Sequence, residues 1–162
     1  EYTLSTCQLD FCLPMKFNLT YIDKDGSKKT PVVLHRAVFG SLDRFMAYYL
    51  EETKGNLPLW LAPVQINVIP VNNQYHLEYA NKIFNSLNDK EFRVELDKRD
   101  EKLGYKMRES QTRKIPYTLI LGQKEVDDNL VSYRKFQSQE TTTVTLEEFI
   151  DLIKNEIKNK TR

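Results

Sequence analysis

The stretch His35-Arg36-Ala37-Val38-Phe39-Gly40-Ser41-Leu42-Asp43-Arg44-Phe45 joins two hydrophobic periods. Before it runs Val32-Val33-Leu34, which reads as a buried strand. Gly40 breaks that strand. Ser41 then caps a helix whose apolar positions Leu42, Phe45, Met46 and Tyr49 recur at helical spacing. His35 therefore falls late on a strand and Arg44 about one turn into a helix. An imidazole and a guanidinium delivered into one cleft would make a site. Spacing alone is met more simply by an ordinary strand–turn–helix with a satisfied histidine and a surface arginine, because short motifs recur by chance.

On the N-terminal side, Phe17, Leu19 and Tyr21 alternate with Lys16, Asn18 and Thr20, predicting a half-buried strand. Asp25-Gly26 predicts a hairpin turn. The returning strand runs into Pro31–His35, and Leu9–Leu13 reads as a third strand stopped by Pro14. The helix from Ser41 to about Thr53 ends at a glycine cap in Lys54-Gly55-Asn56. Three strands and one helix bury too little surface to be stable alone, so the chain is expected to begin inside a larger domain. Leu57–Pro63 is an apolar connection with two prolines, expected to pack between domains. The expected division is 1–62 and 63–162.

The second part alternates. Val64–Val71, Phe92–Leu96, Tyr117–Leu121 and Leu130–Arg134 read as strands. Leu77, Ala80, Ile83, Phe84 and Leu87 mark one helix, and Lys102 to about Arg113 another. Thr145-Leu146-Glu147-Glu148 opens a last helix with a capping box, and Phe149, Ile150, Ile153 and Ile157 share one face. This alternation predicts an α/β domain with a mainly parallel sheet flanked by helices.

Hydrophobic residues make up 40% of the 162, enough for a core, and charged residues 29%. No apolar run approaches the length of about 18 residues that argues for a membrane span, and the first residues do not form a secretory signal. Cys7 and Cys12 are too few for a disulfide framework, which favours a reducing, cytoplasmic setting. Net charge is only +1, so affinity for nucleic acid must come from local patches. One such patch is Lys98–Lys114, with seven Lys and Arg against three acids. A charged helix face is most often just solvated, but one-sided positive charge is also a footprint for RNA backbone.

The segment 35–45 resembles motif 3 of class II aminoacyl-tRNA synthetases, in the version found in threonyl-tRNA synthetases. The flanks agree: Cys7-Gln8-Leu9-Asp10-Phe11 before it and Pro58-Leu59-Trp60-Leu61-Ala62-Pro63-Val64-Gln65 after it. Arg99–Lys106 and Gly122-Gln123-Lys124-Glu125-Val126 look like that family's C-terminal domain. The resemblance implies an incomplete antiparallel β-plus-helix remnant of a catalytic domain, followed by an anticodon-binding domain with a mixed, mainly parallel sheet. The implied activity is threonine–tRNA ligase: threonine is activated with Mg-ATP and transferred to its tRNA by a homodimeric, cytoplasmic parent. The 162 residues alone are expected to be inactive.

The resemblance also implies roles for single residues. His35 would be one of three ligands of a catalytic zinc, with a cysteine and a histidine from upstream sequence. Arg44 would lie against ATP, Ser41 in the same pocket, and Gln8 near the threonine. Asp100, Arg108, Glu125 and Arg134 match positions that read anticodon bases, and Lys124 lies beside them. Two departures stand out: Tyr2-Thr3 where the family usually has Trp-Gln, and Asp100 where it usually has asparagine. A carboxylate only accepts hydrogen bonds, whereas an amide also donates. Two other classes are open: a free-standing RNA-binding module, which would need neither His35 nor Arg44, and a small-molecule-binding α/β domain, for which no glycine-rich phosphate loop is present.

Overall fold

The computed structural model describes residues 3–161. They form two compact units, the first through Lys54 and the second from Gly55.

In the first unit β1 (Thr6–Asp10) pairs antiparallel with β4 (Val33–Ala37), Gln8 lying opposite His35. Between them come α1 (Cys12–Lys16) and the short hairpin of β2 (Tyr21–Ile22) and β3 (Lys28–Lys29). The hairpin turns at Gly26, whose φ of +77° suits glycine. The strand expected over Leu9–Leu13 stops at Asp10. Asp10 Oδ1 accepts from the backbone N–H groups of Cys12 and Leu13, and that cap starts α1. Pro14 is tolerated in the first helical turn, where its missing N–H is no loss. The alternation at Phe17, Leu19 and Tyr21 is likewise not a strand. It covers the end of α1, a turn at Asn18 (φ +52°) and one residue of β2, and all three apolar side chains are exposed. α2 (Leu42–Glu52) follows the Ser41 cap, as expected. Among the unit's described residues only Pro14 is buried, so the unit has no core of its own.

The second unit has a core. Its five-stranded sheet has the order β6-β5-β7-β8-β9: β5 is Ile66–Pro70, β6 Val94–Leu96, β7 Tyr117–Leu121, β8 Leu130–Lys135 and β9 Thr142–Thr145. β6, β5 and β7 are parallel; β8 is antiparallel to both β7 and β9. Only β8 runs against the other four, so the sheet is mixed but mainly parallel. The helices are α3 (Asn73–Asn88), α4 (Leu103–Thr112), α5 (Gln123–Asp128) and α6 (Leu146–Lys158). Successive strand residues point to opposite faces. Tyr117, Leu119 and Leu121 face one side, where Ala80 and Ile83 of α3 and Phe149 and Ile153 of α6 join them in one buried cluster. Phe149 sits at its centre, 5.6 Å edge-on from Tyr117 and 5.3 Å from Tyr133 between ring centroids. The Thr145–Glu148 capping box is formed: Thr145 Oγ1 accepts from the Glu148 N–H and Glu148 Oε2 from the Thr145 N–H.

The apolar connection is built into this second unit. Pro58 starts a single turn, and Leu59 and Ala62 are buried. Gln65 and Arg93 satisfy its carbonyls at Leu59, Trp60 and Ala62. α5 and β9 were not expected from the sequence. α5 has one apolar residue in six and β9 is mostly threonine, so neither shows a hydrophobic period.

Candidate histidine site and nucleic-acid interface

In the first unit, strand alternation puts Gln8 and Asp10 on one face of β1, and the register sets His35 directly across from Gln8. Asp10 Oδ2 lies 2.8 Å from His35 Nε2. Hydrogen bonds from the Leu13 N–H and from His35 hold the Asp10 carboxyl below its ordinary range. Gln8, Asp10 and His35, with Leu9, Phe11 and Cys12, line an open concavity of about 650 Å³. Cys7 pairs with Arg36, so its side chain leaves the opposite face, and it does not meet His35 across the sheet.

No group of three or more His, Cys, Asp or Glu side chains among the described residues could hold a metal ion. His35 can offer one ligand. Its Nε2 is occupied by Asp10, and Nδ1 has no hydrogen-bond partner among the described residues. One free imidazole nitrogen fits a shared zinc site that draws its other ligands from elsewhere. Ser41 Oγ accepts from the Arg44 N–H at 3.3 Å, which ties the arginine to the first turn of α2. Arg44 is exposed, and its guanidinium has no ion-pair partner among the described residues. Thr3 is exposed, and Tyr2 lies outside the described residues.

In the second unit Asp100 follows β6 and Lys124 and Glu125 follow β7, at the carboxyl ends of parallel strands where open α/β sheets bind ligands, whereas Arg134 pairs with Thr118 at the amino end of β7. Asp100 lines a cavity of about 180 Å³ with Val71, Asn73 and Lys106. Val71 follows β5 and packs toward Gly122, which follows β7. Glu125 closes the group. Its Oε2 accepts from the Gly122 N–H at 2.9 Å and its Oε1 from Ser132 Oγ at 2.6 Å. Burial pushes the Glu125 carboxyl up, but these hydrogen bonds outweigh it and leave the group below its ordinary range. Ser132 also bonds Thr143 Oγ1 on β9 at 2.7 Å. Arg134 lies two residues beyond Ser132 and so on the same face. It donates to Thr141 Oγ1 from one amino group, while its buried Nε lacks a partner among the described residues. Lys124 is exposed beside Glu125. Arg108 is exposed on α4 and makes no hydrogen bond or ion pair to the others among the described residues.

Ser132 and Thr143 were missed by sequence reasoning. Their signal in the sequence is the polar alternation Ser132, Arg134 within β8. Asp10 stands in the segment Cys7–Phe11, where spacing alone assigns it no role.

The basic patch is not the one-sided positive face that the sequence suggested. Arg99 is bound by Asp97 and Glu109, and Arg113 forms a two-pronged pair with Glu95. The Arg99 guanidinium holds the Asp97 carboxyl below its ordinary range, and Arg113 does the same for Glu95. Lys106 is only 2% exposed and donates to the Asp97 carbonyl. Lys106 is therefore a buried group lining the Asp100 cavity, not a surface phosphate contact. Lys102 and Arg108 remain exposed without an acidic partner among the described residues.

Comparison with known proteins agrees with this division. Residues 65–156 match the family model "Anticodon binding domain", and residues 1–53 match "tRNA synthetase class II core domain (G, H, P, S and T)". The chain is 53% identical to a threonine–tRNA ligase of Oceanobacillus iheyensis over 99% of its own length and 25% of that protein. It is 49% identical to one from Lactobacillus acidophilus, covering all of this chain and 25% of that protein. The chain thus spans about a quarter of the length of the curated relatives it matches. Among solved structures, the RNA binding domain of threonyl-tRNA synthetase from Cryptosporidium parvum Iowa II superposes with a TM-score of 0.82 at 35% identity. That match covers 95% of this chain and 39% of the other. Among the described residues no helix is long and apolar enough to cross a membrane.

Proposed function

Since the chain belongs to the anticodon binding domain family by the match over most of its length, we propose that it is part of a threonine–tRNA ligase whose second unit reads the anticodon of threonine tRNA. The observation that supports this most is the polar group Glu125–Ser132–Thr143 with Arg134 beside it. Single-stranded bases are read on their edges by fixed donors and acceptors. Glu125 supplies an acceptor held in place by two hydrogen bonds, and Arg134 a donor fork with an unpartnered Nε. Asp100 offers an acceptor in the cavity that buried Lys106 also lines. Lys102, Arg108 and Lys124 are among the exposed cations that can meet phosphates.

The reading extends to the first unit. Gln8 and His35 face one concavity and would bound the threonine site. Arg44, fixed by the Ser41 cap, would lie against Mg-ATP, where a planar cation can both stack and neutralise charge. Zinc, when bound by His35 and ligands from elsewhere in the ligase, supplies a Lewis acid for the amino and hydroxyl groups of threonine. A site built to bind a hydroxyl rejects an isostere that lacks it. Threonine, ATP and threonine tRNA are the partners of this reading, with a homodimeric, cytoplasmic parent. A free-standing RNA-binding module needs only the second unit and leaves the Gln8–Asp10–His35 face without a purpose.

Salt and sequence separate the two kinds of RNA contact. In the full-length ligase, Lys102→Ala should weaken all tRNAs about equally and reduce the salt slope by about 1, because a phosphate contact releases a counterion whatever the base. Arg134→Ala should cost about 1–3 kcal/mol on threonine tRNA and little on an anticodon-swapped tRNA. Binding of both variants to both tRNAs across a salt series is the test. Equal weakening of the two tRNAs by Arg134→Ala, with a shallower slope, would make Arg134 a phosphate contact and defeat the base-reading assignment.

A further inference from the structure

We infer that Asp10 is a positioning residue for His35: it fixes which ring nitrogen faces a metal ion, and thereby tunes that ion's binding. The inference rests on the proposed role of His35 as a zinc ligand and adds a residue to it.

The geometry starts from the strand. Asp10 is two residues from Gln8 on β1, and Gln8 is opposite His35, so the carboxylate meets the imidazole on the diagonal of one face. An ionised carboxylate can only accept, so the 2.8 Å contact requires the proton on Nε2. Neutral imidazole then has its lone pair on Nδ1. The carboxylate itself cannot turn away easily. Its other oxygen accepts the N–H groups of Cys12 at 2.8 Å and Leu13 at 3.0 Å. Three hydrogen bonds therefore hold Asp10, and Asp10 holds one tautomer and one ring orientation. The exposure is asymmetric in the same sense. The Asp10 side chain is 15% exposed and that of His35 is 47%, so the ring is gripped from inside and open on its other edge. Metal-binding histidines commonly pass their second N–H to a carboxylate, which raises ligand basicity as well as fixing the ring.

Capping of α1 is the competing purpose of Asp10, and substitutions can separate the two. Asparagine and serine both cap helices well. Asp10→Asn keeps the cap oxygen but removes the fixed negative acceptor, so either tautomer of His35 is tolerated. Asp10→Ser keeps a cap oxygen and is too short to reach His35. The experiment measures zinc affinity by chelator competition in the full-length ligase, with the absorption spectrum of the cobalt-substituted protein as a second readout. Both variants are expected to melt at the wild-type temperature and to bind zinc about 10–100-fold more weakly, with altered cobalt bands. His35→Ala, run alongside, should lose the metal. If His35→Ala loses zinc while both Asp10 variants bind it within twofold of wild type, the positioning role is wrong and Asp10 only caps α1. If His35→Ala keeps zinc at wild-type affinity, the ligand reading itself fails, whatever Asp10 does.

Discussion

In the full-length ligase that we propose, Arg44→Ala should slow ATP–pyrophosphate exchange by about 10²–10³-fold, the range for removing one preorganised electrostatic donor. The expectation comes from how the residue is held. Its N–H is bound by Ser41 Oγ, so the backbone at the start of α2 is pinned. Its guanidinium is exposed and has no ion-pair partner among the described residues, which leaves the charge available to a ligand. The helix N-terminus adds its own partial positive charge nearby, which suits a phosphate. Binding of threonine tRNA should be nearly unchanged, because the residues proposed to read bases belong to the other unit. An exchange rate within twofold of wild type would make Arg44 an ordinary surface residue.

Phe149→Ala should destabilise the second unit by about 3–5 kcal/mol, the usual range for emptying a buried aromatic site. Phe149 is fully buried. Its ring meets Tyr117 and Tyr133, and Tyr117 cannot move to fill the space. The Tyr117 hydroxyl donates to Glu156 Oε2 at 2.5 Å on the same helix, and burial together with that carboxylate pushes the phenol well above its ordinary range. The cavity therefore stays open. Urea unfolding of the 162-residue chain, followed by the signal of the second unit, measures the change. A loss under about 1 kcal/mol would mean that α6 does not depend on this ring for docking.

The parts legible in the sequence were those where one local rule acts alone. α6 was readable because Thr145 and Glu148 form a capping box directly before a four-residue apolar face. β7 was readable because Tyr117–Leu121 is apolar and short. The hairpin turn at Gly26 and the Ser41 cap followed from single residues. The parts that were not legible depend on partners distant in sequence. Lys106 looks like a surface lysine on a basic helix; only the fold brings the Asp97 carbonyl to it and closes the wall of the Asp100 cavity. Arg99 and Arg113 look like a cationic stripe until Glu95, Asp97 and Glu109 arrive beside them. Residues 9–21 misled because Asp10 starts a helix through its side chain, a stronger local influence than the alternation that follows. His35 was placed on its strand by sequence, but its hold by Asp10 depends on a register that no local pattern specifies.

The order of strands in the second sheet has a consequence for how quickly it assembles. β7, β8 and β9 follow one another along the chain with only α5 and short turns between, so their pairing closes small loops. β5 joins the same sheet through Ile66 opposite Tyr117, across the whole of α3, β6 and α4. Loop closure of that span must be completed before its contacts repay it, which slows folding in proportion to contact separation. The C-terminal meander with α6 is then expected to form the nucleus, with β5 and its helices docking late. In a chevron, Val131→Ala should depress the folding arm, while Val68→Ala should move chiefly the unfolding arm. The reverse pattern would put the nucleus in the parallel half.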